Sequence, residues 1–156
     1  ERLYRGQNSF HGGCTTKIAL FFCYLMKFVG KGKHLFPSIK QEYQCRCIQV
    51  TEQNRKQVEL LLQGKIIDTP GHTADSISLL LNDGSLFCGD AAMNGLPSLH
   101  RITIWAEDKT AFLKSWETII ALRPNLIYPG HGKPFEYEDL KINLKRAKNM
   151  ELLPIQ

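Results

Sequence analysis

The stretch Lys65–Asp90, KIIDTPGHTADSISLLLNDGSLFCGD, determines the fold that we expect for this chain. Lys65–Thr69 is a short run with β-branched residues, which predicts a strand. Pro70 and Gly71 then force a turn, so that His72 follows on a loop. A histidine therefore leaves the end of a strand, which is where rigid scaffolds usually hold ligands and catalytic groups.

The rest of this stretch predicts a β-hairpin. Ser76–Leu81 and Ser85–Cys88 are two short apolar runs, and the residues between them read Asn-Asp-Gly, a strong hairpin turn signal. Gly89 and Asp90 then end the second run with a carboxylate on a small-residue turn. We therefore expect Asp90, like His72, to lie at the end of a strand.

A third break from strand to loop lies further along the chain. Leu126–Tyr128 predicts a short strand, which Pro129 and Gly130 stop, and His131 follows. Two histidines and one aspartate are ligands that suit zinc, or a mixed site with iron or manganese. A metal held by such groups lowers the pKa of a bound water to roughly 7 and so supplies hydroxide at neutral pH.

These motifs, in this order, resemble those of the metallo-β-lactamase-fold hydrolases. The matching segments are TPGHT at 69–73, Gly-Asp at 89–90 after the hairpin, and PGHG at 129–132. The resemblance implies that His72 binds a first metal, that Asp90 bridges two metals and that His131 binds the second. It implies two zinc ions as cofactors, with iron or manganese as alternatives. The implied fold class is α+β, a four-layer αββα sandwich with the metals at one edge.

One motif of that family is absent from this sequence. The family's His-x-His-x-Asp-His motif supplies three histidine ligands and the Asp that assists the attacking water, whereas His11 and His34 lie in no such pattern. The catalytic base is therefore unassigned. We expect residues 1–156 to form a single partial domain that lacks the N-terminal half of the sandwich. Residues 65–156 would form its C-terminal half, and the basic and apolar segment 1–64 has no assigned place.

Helical periodicity appears in several further segments. Lys17–Val29 is apolar nearly all round and predicts a buried helix or a substrate lid; it is shorter than the roughly 20 apolar residues of a membrane span. Asp108 is an expected N-cap, and the helix it starts should end before Pro124. This helix presents Phe112, Trp116, Ile119 and Ile120 at helical spacing.

The rest of the chain is assigned more coarsely. The other expected elements are a loop over 1–16, a strand at Tyr43–Thr51, a helix or loop at Glu52–Gln63, a loop at Ala91–Ile104 and a helix at Glu136–Asn149.

Several single residues have two interpretations. Asp75 would either support His72 or cap its turn, and His100 would face either substrate or solvent. Cys45 and Cys47 would be either a metal clip or two strand positions, and Cys88 is expected to be a core thiol. The five cysteines show no disulfide-framework spacing, which favours a reducing cytoplasm.

The resemblance predicts a metal-dependent hydrolase that uses metal-activated water on an ester, thioester, lactone or similar bond of a small molecule. Ligand counting predicts weak activity for this chain alone. The alternatives are a non-catalytic or degenerate domain, and a nucleic-acid-binding or nuclease member. The last is prompted by residues 1–60, which carry ten Lys and Arg against four Glu. No membrane partner is expected, and no oligomeric state is assigned.

Overall fold

This computed structural model describes residues 11–29, 48 and 50–155, which form six strands and four helices. The elements are β1 (Gly13–Cys14), α1 (Lys17–Phe28), α2 (Arg55–Leu62), β2 (Gly64–Asp68), β3 (Ile77–Leu81), β4 (Ser85–Gly89), β5 (Trp105–Ala106), α3 (Lys109–Leu122), β6 (Leu126–Pro129) and α4 (Glu138–Asn149). A four-stranded sheet has the order β2-β3-β4-β6, and a two-stranded sheet pairs β1 with β5.

The predicted hairpin is confirmed as the antiparallel pair β3 and β4. Leu79 pairs with Phe87 and Leu80 with Leu86, and the amide of Gly84 closes the turn by donating to the Leu81 carbonyl at 3.0 Å. Strand β2 pairs antiparallel with the other side of β3. The stretch that carries the first two motifs therefore folds as one three-stranded antiparallel unit.

The fourth strand, β6, is parallel to β4. Leu86 lies opposite Ile127 and Phe87 opposite Tyr128, although helix α3 separates the two strands in sequence. Parallel neighbours end at the same edge of a sheet. The residues that follow β4 and β6 therefore leave the sheet side by side.

Helices α3 and α4 cover one face of the large sheet and enclose the core. Trp116 is fully buried, its ring lies 5.4 Å from that of Phe112, and its indole N–H donates to the Ala91 carbonyl at 2.8 Å. The buried core consists of Leu86, Cys88, Ala91, Ala92, Ile102, Phe112, Trp116, Ile119, Ile127, Phe135, Leu140, Ala147 and Met150.

The ends of α3 follow from its sequence. The Asp108 side chain accepts hydrogen bonds from the amides of Thr110 and Ala111 at 2.7 and 3.0 Å, which satisfies two helix donors. At the other end Arg123 adopts a left-handed conformation directly before Pro124, and a proline cannot continue a helix. The predicted cap and stop are both confirmed.

The opposite face of the large sheet is less covered by the described residues. Phe87 and Tyr128 stack on it with ring centroids 4.9 Å apart, yet Phe87 remains 46% exposed. Ile77, at the start of β3, is exposed as well. This face therefore presents apolar surface to solvent.

Helix α2 protects the outer edge of the large sheet. The Glu59 carboxylate accepts from the Ile66 amide at 2.9 Å, and the Arg55 guanidinium donates to the Ile66 carbonyl at 3.0 Å and to Asp68. Both backbone groups of Ile66 are therefore occupied at a strand edge that would otherwise be open to pairing with another chain. The helix at Arg55–Leu62 also decides between the two interpretations of Glu52–Gln63.

The predicted loop over residues 1–16 is wrong at Gly13 and Cys14, which form β1. This strand pairs with Trp105 and Ala106, and Cys14 also exchanges two backbone hydrogen bonds with Leu153 at 2.8 Å. A strand of two residues shows no alternation, and its partners lie far away in sequence, so no local pattern could indicate it. Of the strand predicted at Tyr43–Thr51, residues 48, 50 and 51 are described and are not in a strand, and the others lie outside the described residues.

Helix α1 is exposed over much of its surface. Ala19 is its buried residue, whereas Phe21 and Phe28 are 70% and 89% exposed. The expectation of a buried helix is therefore wrong with respect to the described residues. None of the helices described here combines the length and the apolar character needed to cross a membrane.

Candidate functional site

The loop that carries His72 turns sharply after β2 and packs against α3. Gly71 has φ +134°, and a Cβ at that position would lie 2.3 Å from the Cα of Phe112. Only glycine fits both the backbone conformation and the close approach. The Pro-Gly pair of the first motif therefore brings the histidine loop against the core helix.

The His72 ring is oriented by a backbone carbonyl. Its Nδ1 lies 2.9 Å from the carbonyl oxygen of Trp105, and the Thr103 hydroxyl lies 3.4 Å from the same nitrogen. Because a carbonyl only accepts, Nδ1 carries the proton and donates. The Nε2 lone pair is left free for other contacts, which is the arrangement commonly found in histidines that bind metals.

Asp90 lies between the two motif histidines. Its Oδ2 is 3.6 Å from Nε2 of His72, and its Oδ1 is 2.8 Å from Nδ1 of His131. The side chain of Asp90 is 23% exposed, whereas that of His131 is 67% exposed. The structure thus brings the three predicted site residues to one edge of the sheet, with the carboxylate at the centre.

The loop that carries His131 is joined to Asn94 by three hydrogen bonds. The Asn94 amide donates to the His131 carbonyl at 2.9 Å, and the Asn94 side-chain amide donates to the Lys133 carbonyl at 2.7 Å. The Lys133 amide donates back to the Asn94 carbonyl at 3.2 Å. Gly132 has φ +103°, and a Cβ there would lie 1.9 Å from the Asn94 oxygen, so the second glycine of Pro-Gly-His-Gly is required by this contact.

Arg101 adds a separate hydrogen bond to Asn94 and connects it to helix α4. Its guanidinium donates to the Asn94 side-chain oxygen at 2.6 Å and to the Asp139 carboxylate at 2.8 and 2.9 Å, and it lies over the Phe135 ring. The Arg–carboxylate contact is a charge-assisted one, which is among the stronger protein hydrogen bonds. Helix α4 is therefore linked to the His131 loop through two side chains.

Sequence reasoning missed the contributions of Asn94, Arg101 and the Trp105 carbonyl. Asn94-Gly95 is a turn signal in the segment interpreted as a loop, but a turn signal does not reveal what the turn contacts. Asp75 is exposed, and the carbonyl of Trp105 is the group that contacts His72 Nδ1.

The remaining candidates lie apart from this site or outside the description. Cys88 is a core thiol as predicted, and burial raises the pKa of its side chain to about 12. His100 is exposed and contacts Arg146 at 2.6 Å, and His11 is exposed. His34, Cys45 and Cys47 lie outside the described residues.

The donors at this edge fit a metal site only in part. Imidazole and carboxylate groups are ligands of the kind that zinc accepts. Nevertheless, within residues 11–29, 48 and 50–155 no group of three or more His, Cys, Asp or Glu side chains is arranged to hold an ion. A nitrogen of His131 and an oxygen of Asp90 are instead directed at each other. The described residues do not form a metal site by themselves.

The fold is that of the metallo-β-lactamase superfamily. A crystal structure of an archaeal metallo-β-lactamase superfamily protein from Sulfolobus tokodaii is similar, with a TM-score of 0.54 over 92% of this chain and 57% of that one, at 18% identity. The α+β fold class predicted from the sequence is thereby confirmed. No protein-family model matches the chain.

Two relatives are also similar in sequence. A Beta-lactamase-like protein 2 homolog of Drosophila melanogaster is 38% identical over 93 residues, which are 57% of this chain and 30% of that protein. Its Caenorhabditis elegans counterpart is 34% identical over 96 residues, 58% of this chain and 30% of the relative. The resemblance to the metallo-β-lactamase superfamily is confirmed, and the chain spans 30% of the length of these curated relatives.

Proposed function

We propose that this chain contributes one part of the active site of a metal-dependent hydrolase that cleaves an ester, thioester, lactone or similar bond in a small molecule. The observation that carries the proposal is the convergence of His72 and His131 on the Asp90 carboxylate. In this proposal the metals are two zinc ions, or iron or manganese in their place. They supply Lewis acidity and an activated water when bound.

The chain's own residues would hold and orient the ligands. The Trp105 carbonyl fixes the tautomer of His72, so that Nε2 is available as a ligand. Asn94 and Gly132, which is in close contact with it, fix the backbone on either side of His131. Asp90 lies between both rings, where a carboxylate can be shared by two cations.

Ligand counting supports a site that needs further residues. Catalytic zinc typically has three protein ligands and a water, whereas this set offers one histidine for each metal and one shared aspartate. The proposal assigns the remaining ligands to a His-x-His-x-Asp-His motif, which these 156 residues do not contain. The small share of the relatives' length that the chain spans is consistent with this assignment.

The proposal is tested by comparing the chain alone with a version extended by an N-terminal segment that carries the missing motif. We expect weak zinc binding in equilibrium dialysis and little turnover of a generic thioester for the chain alone, and stoichiometric zinc with turnover for the extended protein. In the extended protein, His72→Ala and Asp90→Ala should abolish turnover. His100→Ala, which alters an exposed histidine beside Arg146, should leave it unchanged.

Two outcomes would contradict this function. Tight stoichiometric zinc and normal turnover in the chain alone would mean that residues such as His11, His34 or Cys45 complete the site. Metal uptake without turnover of any ester, thioester or lactone by the extended protein would favour a non-catalytic domain. The nucleic-acid alternative rests on the ten Lys and Arg of residues 1–60 and predicts oligonucleotide binding that weakens steeply with salt.

A further inference from the structure

Two cysteine thiols are in contact at the junction of β1 and α1. The Cys14 thiol donates to the sulfur of Cys23, and the two Sγ atoms lie 3.5 Å apart. The contact arises from the N-cap of α1, where the Thr16 hydroxyl accepts from the Ala19 amide at 3.0 Å. This cap fixes the direction in which the chain enters the helix, and Cys23 is thereby placed against the end of β1.

The two thiols differ in access. Cys14 is fully buried, because its strand is hydrogen-bonded on one side to β5 and on the other to Leu153. Cys23 is partly exposed on α1, a helix that buries Ala19 and leaves much of its surface open. A solute thiol or disulfide can therefore reach Cys23 but not Cys14.

We propose that Cys14 and Cys23 form a redox site, at which a small disulfide such as oxidised glutathione converts the two thiols into an intramolecular disulfide. The sulfurs must close from 3.5 Å to roughly 2.05 Å, the length of a disulfide bond. This inference does not depend on the proposed hydrolase activity.

The reaction proceeds in two exchange steps. The Cys23 thiolate attacks one sulfur of oxidised glutathione, which forms a mixed disulfide on Cys23 and releases one glutathione thiolate. Cys14 then gives its proton to solvent and attacks the Cys23 sulfur, so that the Cys14–Cys23 bond forms and the second glutathione leaves. The two cysteines lose two electrons and two protons, and oxidised glutathione is reduced to two glutathione molecules.

The environment of Cys14 determines how the second step depends on pH. Burial, together with the neighbouring Cys23 sulfur, raises the pKa of the Cys14 thiol to about 12. Burial is the largest cause of this shift and persists when Cys23 carries glutathione, whereas the contribution of the Cys23 thiol does not. Because the thiolate is the attacking species, the second step is slow at neutral pH and accelerates as the pH rises. The mixed disulfide on Cys23 should therefore accumulate before the cross-link appears.

The position of this pair links it to the candidate site. Cys14 lies directly opposite Trp105 in the two-stranded sheet, and the Trp105 carbonyl accepts the hydrogen bond from His72. A cross-link between Cys14 and Cys23 would restrict the movement of β1, which pairs with the strand that carries this carbonyl. Oxidation would thus stiffen the support of one site histidine without touching the histidine itself.

The experiment treats the folded chain with oxidised glutathione at pH 7 and pH 9 and maps the products by peptide mass spectrometry. We expect a Cys14–Cys23 cross-linked peptide that has lost two hydrogens, preceded by a glutathione adduct on Cys23, with faster conversion at pH 9. Cys23→Ser should abolish both products. Cys88→Ala, which removes a core thiol distant in sequence from the pair, should leave both in place.

Selectivity in the folded state separates this proposal from chance oxidation. In concentrated guanidinium chloride the same treatment should distribute cross-links among all five cysteines. The proposal is overturned if the folded chain yields glutathione adducts that never convert. It is also overturned if Cys23 pairs with Cys45 or Cys47 in preference to Cys14, or if the unfolded chain forms the Cys14–Cys23 bond as selectively as the folded one.

Discussion

At the scale of single residues, Asn94 connects parts of the molecule that are remote in sequence. Its backbone contacts the His131 loop in both directions, and its side chain contacts Lys133 and Arg101. A buried or half-buried amide of this kind contributes through the groups that it keeps paired rather than through its own area. We therefore regard Asn94 as a residue that positions His131.

Replacing Asn94 by alanine should loosen this loop. Asn94→Ala leaves the Lys133 carbonyl and the Arg101 guanidinium each without one partner, so we expect the free energy of unfolding to fall by about 1–3 kcal/mol. Urea unfolding measures the loss, and hydrogen exchange of the Lys133 amide, which donates to the Asn94 carbonyl, should accelerate.

A matched control is available in helix α4. The Asn143 side chain donates to the Asp139 carbonyl within the same helix and holds no loop. Asn143→Ala should therefore cost less than about 1 kcal/mol and leave Lys133 exchange unchanged. Equal effects of the two substitutions on the Lys133 amide would show that Asn94 does not position the loop.

Sequence reasoning could single out the three candidate residues because each follows local turn chemistry. His72 and His131 come directly after Pro-Gly pairs, and Asp90 follows a hairpin strand, so proximity in sequence carries the signal. The Trp105 carbonyl escaped because a backbone acceptor has no residue-type signature, and Asn94 escaped because its turn signal does not reveal what its side chain contacts. Their partners also lie 33 to 39 residues away. The roles of the three side chains as metal ligands remain predictions.

At the scale of elements, helix α3 holds the sheet and the site together. Its buried Trp116 packs on Phe112 and bonds to the Ala91 carbonyl, one residue after Asp90. Trp116→Ala should lower the free energy of unfolding by about 3–5 kcal/mol, as truncations of buried large aromatics do. Thr118→Ala, on the exposed side of the same helix, should stay within about 0.5 kcal/mol.

Chemical denaturation of the Trp116→Ala and Thr118→Ala variants measures the loss of unfolding free energy that each substitution causes. A loss below about 1 kcal/mol for Trp116→Ala would mean that the helix contributes little to the core despite its buried face. The helical period of Phe112, Trp116 and Ile119 predicted this face correctly, because a buried stripe repeats every three to four residues. The two-residue strands β1 and β5 are too short for any period, which is why they were missed.

At the scale of the whole molecule, the sequence predicted the fold class but not how the chain shields its surfaces. The order of three motifs was sufficient to predict the fold, because each motif follows the end of a strand of one sheet. The clamp of Arg55 and Glu59 on the outer strand and the exposed Phe87–Tyr128 face depend on contacts between elements. Contacts between elements produce no periodic pattern of residues that a single sequence would show.

The parallel pairing of β4 with β6 affects the order in which the parts of the chain fold. The hairpin of β3 and β4 closes a loop of a few residues, whereas β6 must wait for the whole of α3 before it can join β4. Closing longer loops costs more entropy and slows folding, while a hairpin forms in about 1–10 μs. We therefore expect Asp90 and His131 to meet late in folding.

Pulsed hydrogen exchange during refolding can follow this order. The Gly84 amide, bonded to Leu81 in the hairpin turn, should gain protection before the Gly130 amide, which bonds to Gly89 across the parallel pair at 2.7 Å. Simultaneous protection of both amides would contradict the expected order. If the order holds, a nascent or partly refolded chain passes through a state with a formed hairpin but no assembled site, and any ligand that needs both residues can stabilise only the final step.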